Sequence, residues 1–301
     1  MQPQLEPHEF VRERVGSGMR LFVIGLAKKV ILAGLLGTPF YALKALGPQA
    51  LSVCGAWLGA LLYALMLYFD FSGYSDMAIG LGRMLGFRFP ENFRYPYLCS
   101  SISDFWRRWH ISLGSWFKEY LYFPLGGSRT GTLRTLRNLL LVWLATGLWH
   151  GASWNYVLWG LYFGVLICLE KLLAPRFRAH PRKGLLAGLY RPVCLLLAVL
   201  GWVLFRAEDL PAAGRYFACL FGGAAGASAQ ARLYLHDFWP VLLLGAVGAT
   251  PLCAKLAGRL GAKLQPGVRA AVQAVLVLAL LACSTVWLLN GSFQSFVYFQ
   301  F

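Results

Sequence analysis

The run AAVQAVLVLALLACSTVWLLN, residues 270–290, carries no charged side chain. An α-helix rises about 1.5 Å per residue, so roughly 20 such residues cross the ~30 Å hydrocarbon core of a bilayer. Read the same way, the chain offers seven candidate spans: 21–37, 51–69, 138–150, 153–172, 187–205, 239–254 and 270–290. The expected fold class is all-α. It is a polytopic integral membrane protein of about seven spanning helices, with interfacial or re-entrant helices around a central chamber. Composition agrees: 58% of residues are hydrophobic and 13% charged, against about 25% charged in soluble domains.

The net charge of +16 would suggest nucleic acid in a soluble protein. Here the basic residues sit in short loops between apolar runs, as the positive-inside rule requires, and anionic lipid head groups are the simpler partner. No nucleic acid is expected. Placing 174–191, 255–269 and 70–137 in the cytoplasm is self-consistent, and makes residues 1–20 a cytoplasmic N-terminal segment. That segment mixes Glu6, Glu9 and Glu13 with Arg12, Arg14 and Arg20 and does not read as a signal peptide. Seven cysteines, at 54, 99, 168, 194, 219, 253 and 283, stand singly without C-x-x-C. They read as small core residues.

Several stretches break the simple alternation of span and loop. Lys28 and Lys29 interrupt the first span in GLAKKVILAG. They either snorkel from a tilted helix or face a polar cavity. The segment 69–97, with Asp70 and Asp76, is dense in Gly, Pro and aromatics and reads as short helices and turns at the membrane surface. The segment 100–129 repeats apolar residues from Ile102 to Tyr120 at helical spacing, with Ser103 or Asp104 as N-cap. It reads as an interfacial helix ended by PLGG at 124–127.

Span 138–150 is too short to cross. At about 1.5 Å per residue it reaches only some 20 Å before GLWHGASW, residues 147–154, turns the chain back. Irregular backbone at that depth is tolerated only where protein or a water-filled cavity surrounds it. His150 is therefore expected at a bend facing a protein-lined chamber. Imidazole is the side chain best placed to take and return a proton near neutral pH, and an apolar setting keeps it neutral and basic. A histidine that hydrogen-bonds a carbonyl to stabilise the turn is the structural alternative. His110, on the polar side of the interfacial helix, reads as solvated. Arg107 and Arg108 read as head-group contacts, or as donors to the phosphates of an activated cofactor. The five histidines, at 8, 110, 150, 180 and 236, show no H-x-x-x-H or H-x-x-E-H spacing, so no metal site is expected.

Four ordered motifs go further. YFDFSGYSDMAIGLGRMLGFRFPENFRYPY, SDFWRRWHISLGSWFKEYLYFPLGG, GLWHGASWNYVLWG and the C-terminal FVYFQF together resemble the membrane-bound O-acyltransferase family, and within it the alginate O-acetyltransferase branch. The resemblance implies that residues 21–301 form an acyltransferase domain, N-terminally incomplete because family members usually carry several further spans before it. It implies His150 as the catalytic histidine and His110 as a second functional one. It also implies a bacterial inner-membrane enzyme with no bound cofactor, which uses an acyl thioester such as acetyl-CoA as donor. Arg107 and Arg108 would meet the donor's phosphates. The acceptor would be an exported polysaccharide or a partner protein of its acetylation and export. A transporter or channel with a proton-path histidine, and a non-catalytic scaffold or inactive fragment of an export complex, are the rival readings.

Overall fold

The computed structural model describes residues 11–129, 131–178, 185–223 and 228–290. FVYFQF, residues 296–301, lies outside them, as do His8 and His180. Among the described residues every regular element is helical. We label α1 Arg12–Ala45, α2 Val53–Met84, α3 Ile102–Trp106, α4 Ile111–Phe117, α5 Thr132–His150 and α6 Trp154–Arg178. Then follow α7 Leu185–Arg206, α8 Leu210–Leu220, α9 Ala229–Gly248, α10 Leu252–Ala262 and α11 Pro266–Leu289.

Among the described residues five helices are long and apolar enough to cross a membrane: α1, α2, α6, α7 and α11. The pair α9–α10, bent by 72°, raises the number to six if it is one span. The chain is a multi-pass membrane protein. The remaining expected span, at 138–150, belongs to α5. The first turns of that helix carry Arg134 and Arg137, which dilute its hydropathy. The break between α9 and α10 falls at Pro251, which cannot supply the amide a continuous helix needs. The basic residues Lys255 and Arg259 thus lie on a helix, where the sequence suggested a loop.

The chain forms two compact units. The first unit contains most of α1, most of α2 and the C-terminal helices. Here α1 and α2 run antiparallel in backbone contact. A Cβ on Gly25 would stand 2.6 Å from the Gly73 carbonyl oxygen, and one on Gly18 would stand 2.6 Å from that of Gly80. Small residues allow this approach where no hydrophobic force drives helices together in lipid. Lys29 Nζ meets Asp70 Oδ1 at 2.5 Å with both side chains almost fully buried. Lys28 Nζ meets Asp76 Oδ2 at 2.6 Å in a more open setting. Both lysines fall in a π-helical stretch, Lys28–Leu32, closed by an Ala33 amide bonded to the Lys28 carbonyl. The extra residue in that turn rephases α1. Asp70 and Asp76 thus sit inside one 32-residue helix, not among short surface turns. α11 packs on α1 through Trp287 beside Gly34, and Arg20 donates to Gln273 at 2.9 Å.

The second unit is built on the α5–α6 hairpin, against which α3 and α7 pack. Buried Asn138 pins the PLGG loop to the start of α5, donating to the carbonyls of Leu125 (2.9 Å) and Gly127 (3.2 Å). Trp57 and Tyr216 tie the beginning of α2 to α8. The Trp57 indole donates to the Leu220 carbonyl at 3.0 Å, and the Tyr216 hydroxyl to that of Ala56 at 2.7 Å.

Candidate active site

α5 ends at His150, and Gly151 (φ 154°) turns the chain into α6 within four residues. The hairpin is tight because Gly147 and Gly160 face each other's helices. A Cβ on Gly147 would collide with the Tyr156 carbonyl, and one on Gly160 with that of Trp143. Asn155 fastens the bend from the side, donating to the Ala207 carbonyl at 2.8 Å. The half-buried imidazole of His150 is flanked by rings. Its centroid lies 4.9 Å from Trp149, 5.0 Å from Trp159 and 5.1 Å from Phe205. Trp159 and Phe205 are fully buried, whereas Trp154 is exposed. Inner packing of the bend therefore falls to Trp159 and Phe205; the motif's own Trp154 takes no part in it.

The interfacial segment is not one helix. α3 ends at Trp106, and α4 begins only at Ile111. Between them His110 adopts a left-handed conformation, φ 46° and ψ 54°, which is uncommon outside glycine and costly for a bulky side chain. The N-cap is Ser101, whose hydroxyl accepts from the Asp104 amide at 2.9 Å, two residues before the earliest expected position.

Tryptophans hold this turn. Trp106 packs on Trp143 (4.7 Å) and Phe163 (4.8 Å), and Trp109 on Trp202 (4.6 Å). His110 consequently stands 6.1 Å from Trp149, ring to ring, and within electrostatic reach of His150. The two histidines, 40 positions apart in sequence, are brought together. His110 is not a solvated surface residue: burial pushes its pKa down to about 4, so the ring is neutral near pH 7.

The two arginines differ. Arg108 Nε pairs with Asp104 Oδ2 at 3.1 Å and its side chain is 32% exposed. Arg107 touches Asp104 only at 3.5 Å and is 69% exposed. Burial alone would raise the pKa of Asp104, but hydrogen bonds from the Ser100 amide and Arg108 outweigh it and hold the carboxyl below its usual range. Arg108 is thus committed to the turn, while Arg107 holds Asp104 more loosely and keeps most of its side chain exposed. Among the described residues no group of three or more His, Cys, Asp or Glu side chains is placed to hold a metal ion.

Two imidazoles thus flank Trp149 at a helix bend, with the buried indole of Trp159 behind His150. The pattern of the membrane-bound O-acyltransferase family matches residues 19–201, which include both histidines. The chain belongs to that family. Among relatives in the membrane-bound O-acyltransferase family, "Probable alginate O-acetylase AlgI" of Pseudomonas fluorescens is 48% identical over 69% of this chain and 41% of its own length. A peptidoglycan O-acetyltransferase of Helicobacter pylori is 41% identical over 71% of this chain and 41% of its own length. A teichoic acid D-alanyltransferase of Bacillus subtilis is 32% identical over 50% of this chain and 40% of its own length. The chain thus spans about 40% of the length of these curated relatives.

Residues that sequence reasoning passed over include Trp159, Trp202 and Phe205, hidden because any aromatic in an apolar run looks like core. Asn155 had a signal: an amide directly after the GLWHGASW bend. Glu170 had a fainter one, as the lone acid in VLICLEKLL.

Proposed function

We propose that this chain carries the catalytic centre of a bacterial inner-membrane O-acyltransferase that moves an acyl group, acetyl by likeness to the O-acetylase and O-acetyltransferase relatives, onto an exported polysaccharide. The arrangement around His150 carries the reading: a histidine at a helix bend, ringed by Trp149, Trp159 and Phe205, with His110 in electrostatic reach. An acyl thioester such as acetyl-CoA serves as donor. The acceptor hydroxyl loses its proton to the His150 imidazole as its oxygen attacks the thioester carbonyl. The new C–O bond forms, the C–S bond breaks, and the departing thiolate takes up a proton. A positioned general base of this kind contributes about 10²–10⁴ in rate. The buried rings exclude water that would otherwise hydrolyse the thioester. Exposed Arg107 takes the donor's phosphates, and Arg108 shapes the turn through Asp104.

In this reading the enzyme works together with partners of polysaccharide export. The test is complementation of a host lacking its own copy. The native chain and His150→Ala are expressed at matched membrane levels, and ester-linked acyl groups on the exported polymer are quantified. Acylation that is restored by the native chain and falls by two orders of magnitude or more in the variant is the expected result. Equal acylation by both sinks His150 as base and favours a scaffold. If neither chain restores acylation, the pair is repeated with the relatives' N-terminal region supplied.

A further inference from the structure

We infer that Glu170 is a positioning residue for His110: its carboxylate holds the first turn of α3 and so fixes where the R-R-W-H segment stands. The inference deepens the acyl-transfer reading above and rests on it only for the role of His110. Glu170 lies on α6, and three of its four bonds go to the start of α3. Oε1 accepts from the Ile102 amide at 2.6 Å, and Oε2 accepts from the Ser103 amide at 2.8 Å and its hydroxyl at 2.6 Å. On the other side the Tyr190 hydroxyl of α7 donates to Oε1 at 2.5 Å.

A helix of five residues is far too short to persist by itself, and its first amides have no intrahelical acceptor. Glu170 and the Ser101 hydroxyl supply those acceptors from outside. Charge-assisted bonds to a carboxylate are also shorter and stronger than neutral ones. At its far end the segment is clamped by Trp106 and Trp109. His110 follows directly in its left-handed conformation, which survives only where the surroundings over-determine it. α6 also carries Trp159, against which His150 packs. One helix therefore references both imidazoles, through residues about 16 Å apart along its axis. Glutamine at 170 keeps the shape but replaces one acceptor oxygen with an NH₂ donor aimed at other donors.

The full chain in lipid nanodiscs, as wild type, Glu170→Gln and Glu170→Asp, is compared by segment-resolved hydrogen–deuterium exchange. Exchange in 101–110 is expected to rise about tenfold or more in Glu170→Gln, with 143–163 changed less than about twofold and Glu170→Asp intermediate. Unchanged exchange in 101–110, or an equal rise in both segments, overturns the inference. A kinetic arm uses the acylation assay with His110→Ala, Glu170→Gln and the double variant. If Glu170 acts through His110, the double variant loses no more than His110→Ala alone; multiplied losses overturn the coupling. Retained acylation in His150→Ala would sink the base assignment while leaving the exchange result to decide on Glu170.

Discussion

The α1–α2 and α5–α6 helix pairs both bring backbones together over glycine, yet they treat buried polarity in opposite ways. Along α1 and α2 two full charges of each sign are paired, Lys29 with Asp70 and Lys28 with Asp76. At the end of α5 the ionisable group is an imidazole, and its neighbours are ring faces and edges. Buried charge pairs are costly to desolvate and serve best to fix register. An imidazole set among rings carries no full charge that must be paired. The first arrangement commits its charges to structure, and the second places an imidazole where the proposed chemistry would use it.

Breaking the inner charge pair should have the largest effect on folding. Asp70→Ala takes the carboxylate from the buried Lys29–Asp70 pair, a loss of about 3–5 kcal/mol, measured as the thermal midpoint of the purified chain in detergent. Removing both charges, as Lys29→Met with Asp70→Leu, should return most of it, since an apolar pair of similar volume is often neutral. Asp76→Ala, at the more exposed pair, should cost no more than about 1 kcal/mol. If Asp70→Ala melts like the native chain, the pair does not hold the helices, and the contrast with the α5 site collapses.

The glycine contacts come next. Gly25→Ala and Gly147→Ala each force a helix pair apart and should each cost about 1–3 kcal/mol by overpacking. They should differ in function. Gly147 lies one turn before His150, so its variant should also lose acyl transfer beyond what its fall in stability explains, whereas Gly25→Ala should lose activity only in proportion to folded protein. Equal specific activities at matched folded protein would show that the α5–α6 spacing does not set the position of His150.

How much of this was legible in the sequence follows from the range of the interactions. Spans 153–172, 187–205 and 270–290 were visible because continuous apolar residues suffice to define them. The extension of α2 to Met84 was not, since Asp70 and Asp76 look like the end of a span until Lys29 and Lys28 are placed opposite. The bend at His150 was visible from the short run before it and the glycine after it. The break at His110 was not: histidine rarely adopts positive φ, and the apolar spacing from Ile102 to Tyr120 runs on through the interruption as though the helix were continuous. Glu170 escaped notice because its α3 partners lie 67 and 68 positions away.

The last expected effect is confined to acid pH. Burial lowers the pKa of His110 to about 4 from an ordinary value of 6.5. Between those values the unfolded chain takes up a proton that the folded chain refuses. His110 therefore costs nothing above pH 6.5 and subtracts stability progressively as pH falls toward 4. His110→Gln should remove that part of the slope, leaving a melting midpoint that varies less across the window than in the native chain. Were the variant to track the native chain, His110 would be solvated after all, and the turn at φ 46° would stand open to water instead of closing against the Trp149 side of the site.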